Sequence, residues 1–218
     1  MKKQFSIIII LLFALLLWNG CELNKNEIPN LAEVRTQIKE YHKSGRYDAD
    51  LKMIFTKANL EFSKITPRTN SLVIFDIDET ALSNYQFGLD YDFGYNEEIW
   101  DKWVSEKKAV AIKEVKEFYD ILISKGFKVA FITGRNTSHY LDTKENLINE
   151  GYTTFDTVIT RKMDALKTSG VTYKTNERNK LVEKGYEIVA TIGDQYSDIL
   201  GTNHGIQIKL PNYQYIVK

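Results

Sequence analysis

Apolar residues recur along this chain with two different periods. From Leu31 to Tyr41, Leu31, Val34, Ile38 and Tyr41 are spaced as on one face of a helix. "SGR" (44–46) interrupts that pattern. A second helix is predicted beyond it, with Tyr47, Leu51, Ile54, Phe55, Ala58 and Phe62 on one face and Asp48 or Asp50 as its cap. "TPRTN" (66–70) ends the helical region. Short apolar runs and amphipathic segments then alternate. Strands are predicted at "LVIFDI" (72–77), "KVAFIT" (128–133), "TVIT" (157–160), "EIVATIG" (187–193) and "GIQIKL" (205–210). Helices are predicted at 111–126, 138–151 and 176–185, each ending in glycine. Near-continuous apolar strands alternating with helices predict an α/β fold, a Rossmann-like parallel sheet flanked by helices. Ligands of such sheets bind beyond the carboxyl ends of the strands. Asp76, Thr133 and Asp194 each fall at such an end.

The first residues follow neither period. "MKKQFSIIIILLFALLLWNGC" has two lysines, an apolar run from Phe5 to Trp18, then Asn-Gly-Cys. A charged start, a short apolar run and small residues describe an export signal, and the run is short for a membrane span. Cys21 is the chain's one cysteine, which excludes an intrachain disulfide. A lone Cys directly after a signal resembles a bacterial lipoprotein, with Cys21 as the acylated first residue of the mature chain. Trp18 departs from that pattern, where Leu is usual. The expectation is residues 1–20 as signal, 21–30 as tether and 31–218 as one domain, exported and lipid-anchored to a bacterial membrane, at the outer membrane or cell surface. Lys+Arg and Asp+Glu both number 29, so no basic excess points to a nucleic-acid polymer as partner. Oligomeric state leaves no mark on the sequence.

The candidate chemistry is carboxylate chemistry. Asp76 and Asp78 lie two apart at a strand end, and a bend after Asp76 brings both toward one cavity. Asp194 and Asp198, in "GDQYSD", share a face if that segment turns helical. Clustered carboxylates without Cys or His suit a hard, oxygen-preferring cation, of which Mg²⁺ is the natural choice. Such a cation also offsets the crowding of three acids in "DIDE". Thr133-Gly134-Arg135 follows a strand and precedes a helix, where a hydroxyl and backbone N–H groups can bind phosphate oxygens. Lys174 adds positive charge. An anion site facing a metal–carboxylate site implies phosphoryl chemistry.

In order, "FDIDET" (75–80), "ITGR" (132–135), "YKTNER" (173–178) and "GDQYSD" (193–198) resemble the four motifs of the haloacid dehalogenase (HAD) superfamily. They are most similar to its acid phosphatase subgroup, subclass IIIB, which includes bacterial lipoprotein acid phosphatases and plant vegetative storage proteins. "IWDKWV" (99–104) and "KGYEIVATIGDQYSDILG" (184–201) carry the narrower match, and the similarity spans roughly residues 31–210. The resemblance implies a HAD-like fold and a Mg²⁺-dependent phosphatase acting on small phosphomonoesters. In it Asp76 is the nucleophile, and Asp78 is the general acid and then base, with its backbone carbonyl on the metal. Thr133 and the Gly134 N–H hold phosphate oxygens. Lys174 neutralises the phosphate and orients Asp76. Asp194 binds the metal, Asp198 binds it through water or fixes Lys174, and Thr80 locks the loop. Lys162 and Lys167 lie close to Lys174; Lys174 is preferred because it stands twenty residues before Asp194, just ahead of a helix, as in the family.

Seven of the twenty residues in 84–103 are aromatic. They predict a small cap at about 84–110, its rings either stacking on an aromatic leaving group such as the base of a 5′-nucleotide or packing the cap onto the core. Tyr85 and Trp100 are the candidates for substrate contact. His42, His139 and His204 sit in no motif and are expected at the surface; no Arg-His-Gly segment supports a histidine phosphatase. Two other readings share the fold: a catalytically weak binding or storage protein, and a phosphotransferase.

Overall fold

The computed structural model describes residues 28–217; the expected export signal and Cys21 lie outside them. The chain divides within its first helix into two compact units, one ending at Thr36 and one running from Gln37 to Lys218. The second unit holds every described strand. Its centre is a five-stranded sheet: β1 (Ser71–Phe75), β4 (Lys128–Asn136), β5 (Thr157–Arg161), β6 (Glu187–Gly193) and β7 (Ile206–Lys209), in the order β5-β4-β1-β6-β7 with every pairing parallel. The α/β parallel sheet expected from the strand pattern is therefore present.

Both faces of the sheet are covered. Val73 and Phe75 of β1 enter one core with Val129 and Phe131 of β4. The alternate residues Leu72, Ile74, Ala130 and Ile132 enter a second core on the opposite face. The first core is closed by α2 (Arg46–Phe62) and α5 (Lys113–Ser124), whose Phe62 and Phe118 rings meet edge to face at 5.3 Å. Such a ring pair adds about 0.5–1.5 kcal/mol beyond burial. The second is closed by α7 (Gly170–Glu183) through Tyr173 and Leu181.

Several boundaries differ from expectation, each for a physical reason. The α2 helix starts at Arg46 after Gly45, whose φ of 76° suits glycine; neither Asp48 nor Asp50 caps it, and Asp50 instead accepts the Tyr41 hydroxyl. Ala111 belongs to a short strand, β3 (Val110–Ala111), so α5 starts two residues late. The next helix, α6 (Tyr140–Asn149), is preceded by a 3₁₀ turn at Thr137–His139. Most consequential, α7 starts at Gly170, capped by Ser169, whose hydroxyl accepts the Thr172 N–H. Lys174 thus lies on the helix rather than ahead of it.

Between β2 (Leu82–Ser83) and β3, which pair antiparallel, the chain makes an excursion containing α3 (Tyr85–Asp90) and α4 (Glu97–Ser105). Phe87, Trp103 and Val104 form its own small core, against which Trp100 packs. The α1 helix (Leu31–Lys43) completes the helical set with α8 (Tyr196–Ile199), a single turn after β6. No helix among the described residues is long and apolar enough to cross a membrane.

Candidate active site

The sheet order puts β1 between β4 and β6, so the segments leaving these three strands must meet. Asp76 leaves β1 with its N–H on the Ile192 carbonyl of β6. Asp194 comes directly after β6, and the one-turn α8 brings Asp198 back beside it. Asp76, Asp194 and Asp198 are 7%, 2% and 3% exposed, and each offers a carboxylate oxygen within 4.8 Å of the others. The approach depends on Gly193, because a Cβ there would lie 2.3 Å from that of Asp198.

Lys174, 6% exposed, reaches in from α7 to donate to Oδ1 of Asp76 and to Oδ1 of Asp198 (2.6 Å for the latter). Burial works against its charge, but Asp198 and Asp76 outweigh that and hold the ammonium above the usual lysine range. Lys162 and Lys167 are exposed. Arg178, one helical turn further along α7, is fully buried and donates to the backbone carbonyls of Asp198 (2.7 Å) and Thr202 (3.1 Å), tying down the α8 turn. Burial lowers its pKa to about 10.

Asp78 also lines the cavity, as the bend after Asp76 requires, but its carboxylate stands apart from the triad. Arg135 holds it in a fork, from Nη2 to Oδ1 at 2.7 Å and from Nε to both oxygens at 3.0 and 3.1 Å. Asn84 Nδ2 donates to Oδ1 at 2.9 Å. Thr133 is fully buried below, with its hydroxyl 3.5 Å from Asp78 Oδ2 and accepting the Arg135 N–H. Gly134 lines the cavity, and no atom lies within 4 Å of where its Cβ would be. Thr80 locks the turn after β1: its hydroxyl bonds Oδ1 of Asp194 (3.2 Å) and accepts the Asp194 N–H (3.1 Å).

The three crowded acids of "DIDE" therefore have three different answers. Lys174 meets Asp76, Arg135 meets Asp78, and Glu79 is held by neutral donors, the Asn84 N–H and the Tyr215 hydroxyl. The charge is still not balanced. Five carboxylates, counting Asp194 and Asp198, share two directly bonded cations. Burial, reinforced by the neighbouring acids, pushes Asp76 well above the usual carboxylate range, Glu79 to about 8 and Asp194 to about 6. A buried, all-oxygen donor set with unmet negative charge fits a divalent cation held by Asp76, Asp194 and Asp198.

The cavity above these groups measures about 510 Å³. Phe87, Phe93, Tyr95 and Trp100 of the excursion line it, and the Arg135 guanidinium lies 5.7 Å over the Trp100 ring. Tyr85 does not line it. Its ring stacks on His42 at 3.8 Å, and Tyr47 covers the other face of that imidazole at 4.3 Å. None of the three histidines is fully exposed: His42 is half-buried between these rings, His139 bonds Asp101 at 2.8 Å on the cavity wall, and His204 is half-buried.

With this geometry, comparison with known proteins decides the family. A sequence profile of the HAD superfamily, subfamily IIIB (acid phosphatase), matches residues 19–218. The chain belongs to this family of acid phosphatases. It is 34% identical over 192 residues to acid phosphatase 1 of Solanum lycopersicum, covering 85% of this chain and 75% of that protein. It is equally 34% identical over 186 residues to the stem 28 kDa glycoprotein of Glycine max, covering 83% and 73%. The class C acid phosphatase of Bacillus anthracis has the same fold, with a TM-score of 0.68 at 21% identity over 84% of this chain and 86% of that one. As a HAD acid phosphatase the chain is a phosphomonoesterase. Arg135, Glu79, Arg178 and the segment after β7 are parts of its site that motif spacing alone did not single out.

Proposed function

We propose that this HAD acid phosphatase hydrolyses small phosphomonoesters with Mg²⁺, through a phosphoryl group carried on Asp76. The observation that carries this reading is the convergence of Asp76, Asp194 and Asp198 beside Lys174, with Asp78 held separately by Arg135. When bound by these three carboxylates, the cation neutralises phosphate charge and orients the ester. Lys174 engages one Asp76 oxygen, and the other attacks phosphorus. The open backbone at Gly134 supplies an N–H to the phosphate oxygens, with Thr133 supporting that turn. Asp78 gives its proton to the departing alcohol and then takes one from the water that cleaves the phosphoaspartate. Arg135 keeps its carboxyl aimed during both steps. The products are an alcohol and inorganic phosphate.

The aromatic wall favours a flat leaving group, so aryl phosphates and 5′-nucleotides are expected to outperform glycerol phosphate by the worth of one stacking contact, roughly 1–3 kcal/mol. Trp100 lines the cavity and is the ring we assign to that contact. A panel of esters assayed with Mg²⁺, with chelator, and with Mg²⁺ restored tests the whole reading. Expected are loss of turnover in chelator, full return on restoration, and the flat-group preference. Activity indifferent to chelation sinks the metal role. Saturable nucleotide binding without turnover points to a binding or storage protein, and phosphate passing to an added alcohol in preference to water points to a phosphotransferase.

We also propose export and acylation at Cys21, on the strength of the charged, apolar and small-residue order of the first 21 residues. Expression in a bacterium is expected to give membrane-bound protein whose first tryptic peptide carries an acylated Cys21. Cys21→Ser should shift it to the soluble or signal-retaining fraction; an unmodified Cys21 in the mature protein ends this part of the reading.

A further inference from the structure

The segment beyond β7, Pro211–Val217, has no regular secondary structure, yet Gln214, Tyr215 and Val217 line the active cavity. Side-chain and backbone bonds tie it there. Asn212 Nδ2 donates to Oδ2 of Asp194 at 2.6 Å, the same oxygen that takes Nε2 of Gln195 at 2.6 Å. The Val217 N–H donates to Gln195 Oε1 at 3.1 Å. The Tyr215 hydroxyl donates to Oε2 of Glu79 at 2.7 Å. Glu79 has a φ of 53°, uncommon for a residue with a side chain, and these bonds help to hold it in that turn. On its far side the segment lies against α3, where a Cβ at Gly88 would come within 2.7 Å of Gln214 Oε1.

Asp194 is thus aimed from three separate parts of the chain: Thr80 on one oxygen, Gln195 and Asn212 on the other. Two neutral donors on one oxygen fix the torsion of the carboxylate and leave it charged. Donors behind a ligating group are worth about 10–100-fold in metal affinity in other proteins. We propose that the segment 211–217 belongs to the active site, and that Asn212 is a positioning residue which presets the Asp194 carboxylate for the divalent cation. This rests on the reading of Asp194 as a cation ligand.

The test is cation affinity read without turnover. Thermal unfolding of the full chain is followed as Mg²⁺ is added, for wild type, Asn212→Ala and Asn212→Leu; leucine keeps most of the volume and has no donor. Wild type is expected to gain stability with Mg²⁺. Both variants are expected to need about 10-fold more Mg²⁺ for the half-maximal shift. Their kcat should recover toward wild type at saturating Mg²⁺. A role confined to holding the segment down lowers the metal-free melting temperature and leaves the half-saturating Mg²⁺ unchanged; that result overturns the proposal, even with one variant unfolded, because the other still reports. A wild-type chain that melts at the same temperature with and without Mg²⁺ overturns the cation reading of Asp194 itself, and this inference with it.

Discussion

Asp76→Asn is expected to abolish ester hydrolysis, lowering kcat by at least about 10⁴-fold, the range seen when a group at the centre of a catalytic unit is lost. The substitution changes almost no volume. It replaces a carboxylate by a neutral amide that cannot carry a phosphoryl group, and it leaves Lys174 ion-paired with Asp198 alone, while the amide oxygen can still accept from the ammonium. It also removes one charge from a crowded set of five. The metal-free melting temperature should therefore hold or rise, so loss of activity cannot be blamed on unfolding. Acid quenching of wild type during turnover of a labelled ester should trap label on the protein, and the variant should trap none. Residual activity within tenfold of wild type would remove Asp76 from the mechanism.

Lys174→Met is expected to lose both stability and rate. Methionine keeps an unbranched side chain of similar reach and drops the ammonium, which leaves Asp76 and Asp198 facing each other with no cation between them. Removing one partner of a buried pair costs about 3–5 kcal/mol. Loss of the charge that faces the transferring phosphoryl group costs roughly 10²–10³ in kcat, as for other fixed electrostatic groups. Chemical denaturation and steady-state kinetics measure the two separately. Added Mg²⁺ should restore part of the stability, because it meets the same carboxylates, while kcat stays low. A variant that keeps both properties would show that Lys174 is an incidental neighbour.

The sheet was legible in the sequence because its strands are buried on both faces and read as unbroken apolar runs. Asp76, Thr133 and Asp194 stand out against those runs, and their strands do turn out adjacent. The start of α7 was not legible, for a related reason. Its buried face includes Tyr173, Lys174, Arg178 and Leu181, so two of these four inward side chains are cations, and apolar periodicity cannot register them. Arg135 had a signal of the other period: Thr133, Gly134 and Arg135 are buried, exposed and buried as β4 runs on to Asn136, which sends the arginine to the same side as the threonine. Tyr85 and Trp100 are indistinguishable by composition. Only the packing of α3 against His42 separates the ring that is spoken for from the ring that faces the cavity. Residues 211–217 act through single hydrogen bonds to partners far back along the chain, a relation that leaves no pattern in sequence at all.

The central position of β1 has a bearing on synthesis. Synthesis reaches Asp76 118 residues before Asp194, which follows the strand β6 that pairs with β1. Distant pairing of this kind is slow to form. A chain still emerging would thus be chemically inert toward the cell's own phosphate esters. The same strand order that builds the catalyst also postpones it until the chain has been made through β6.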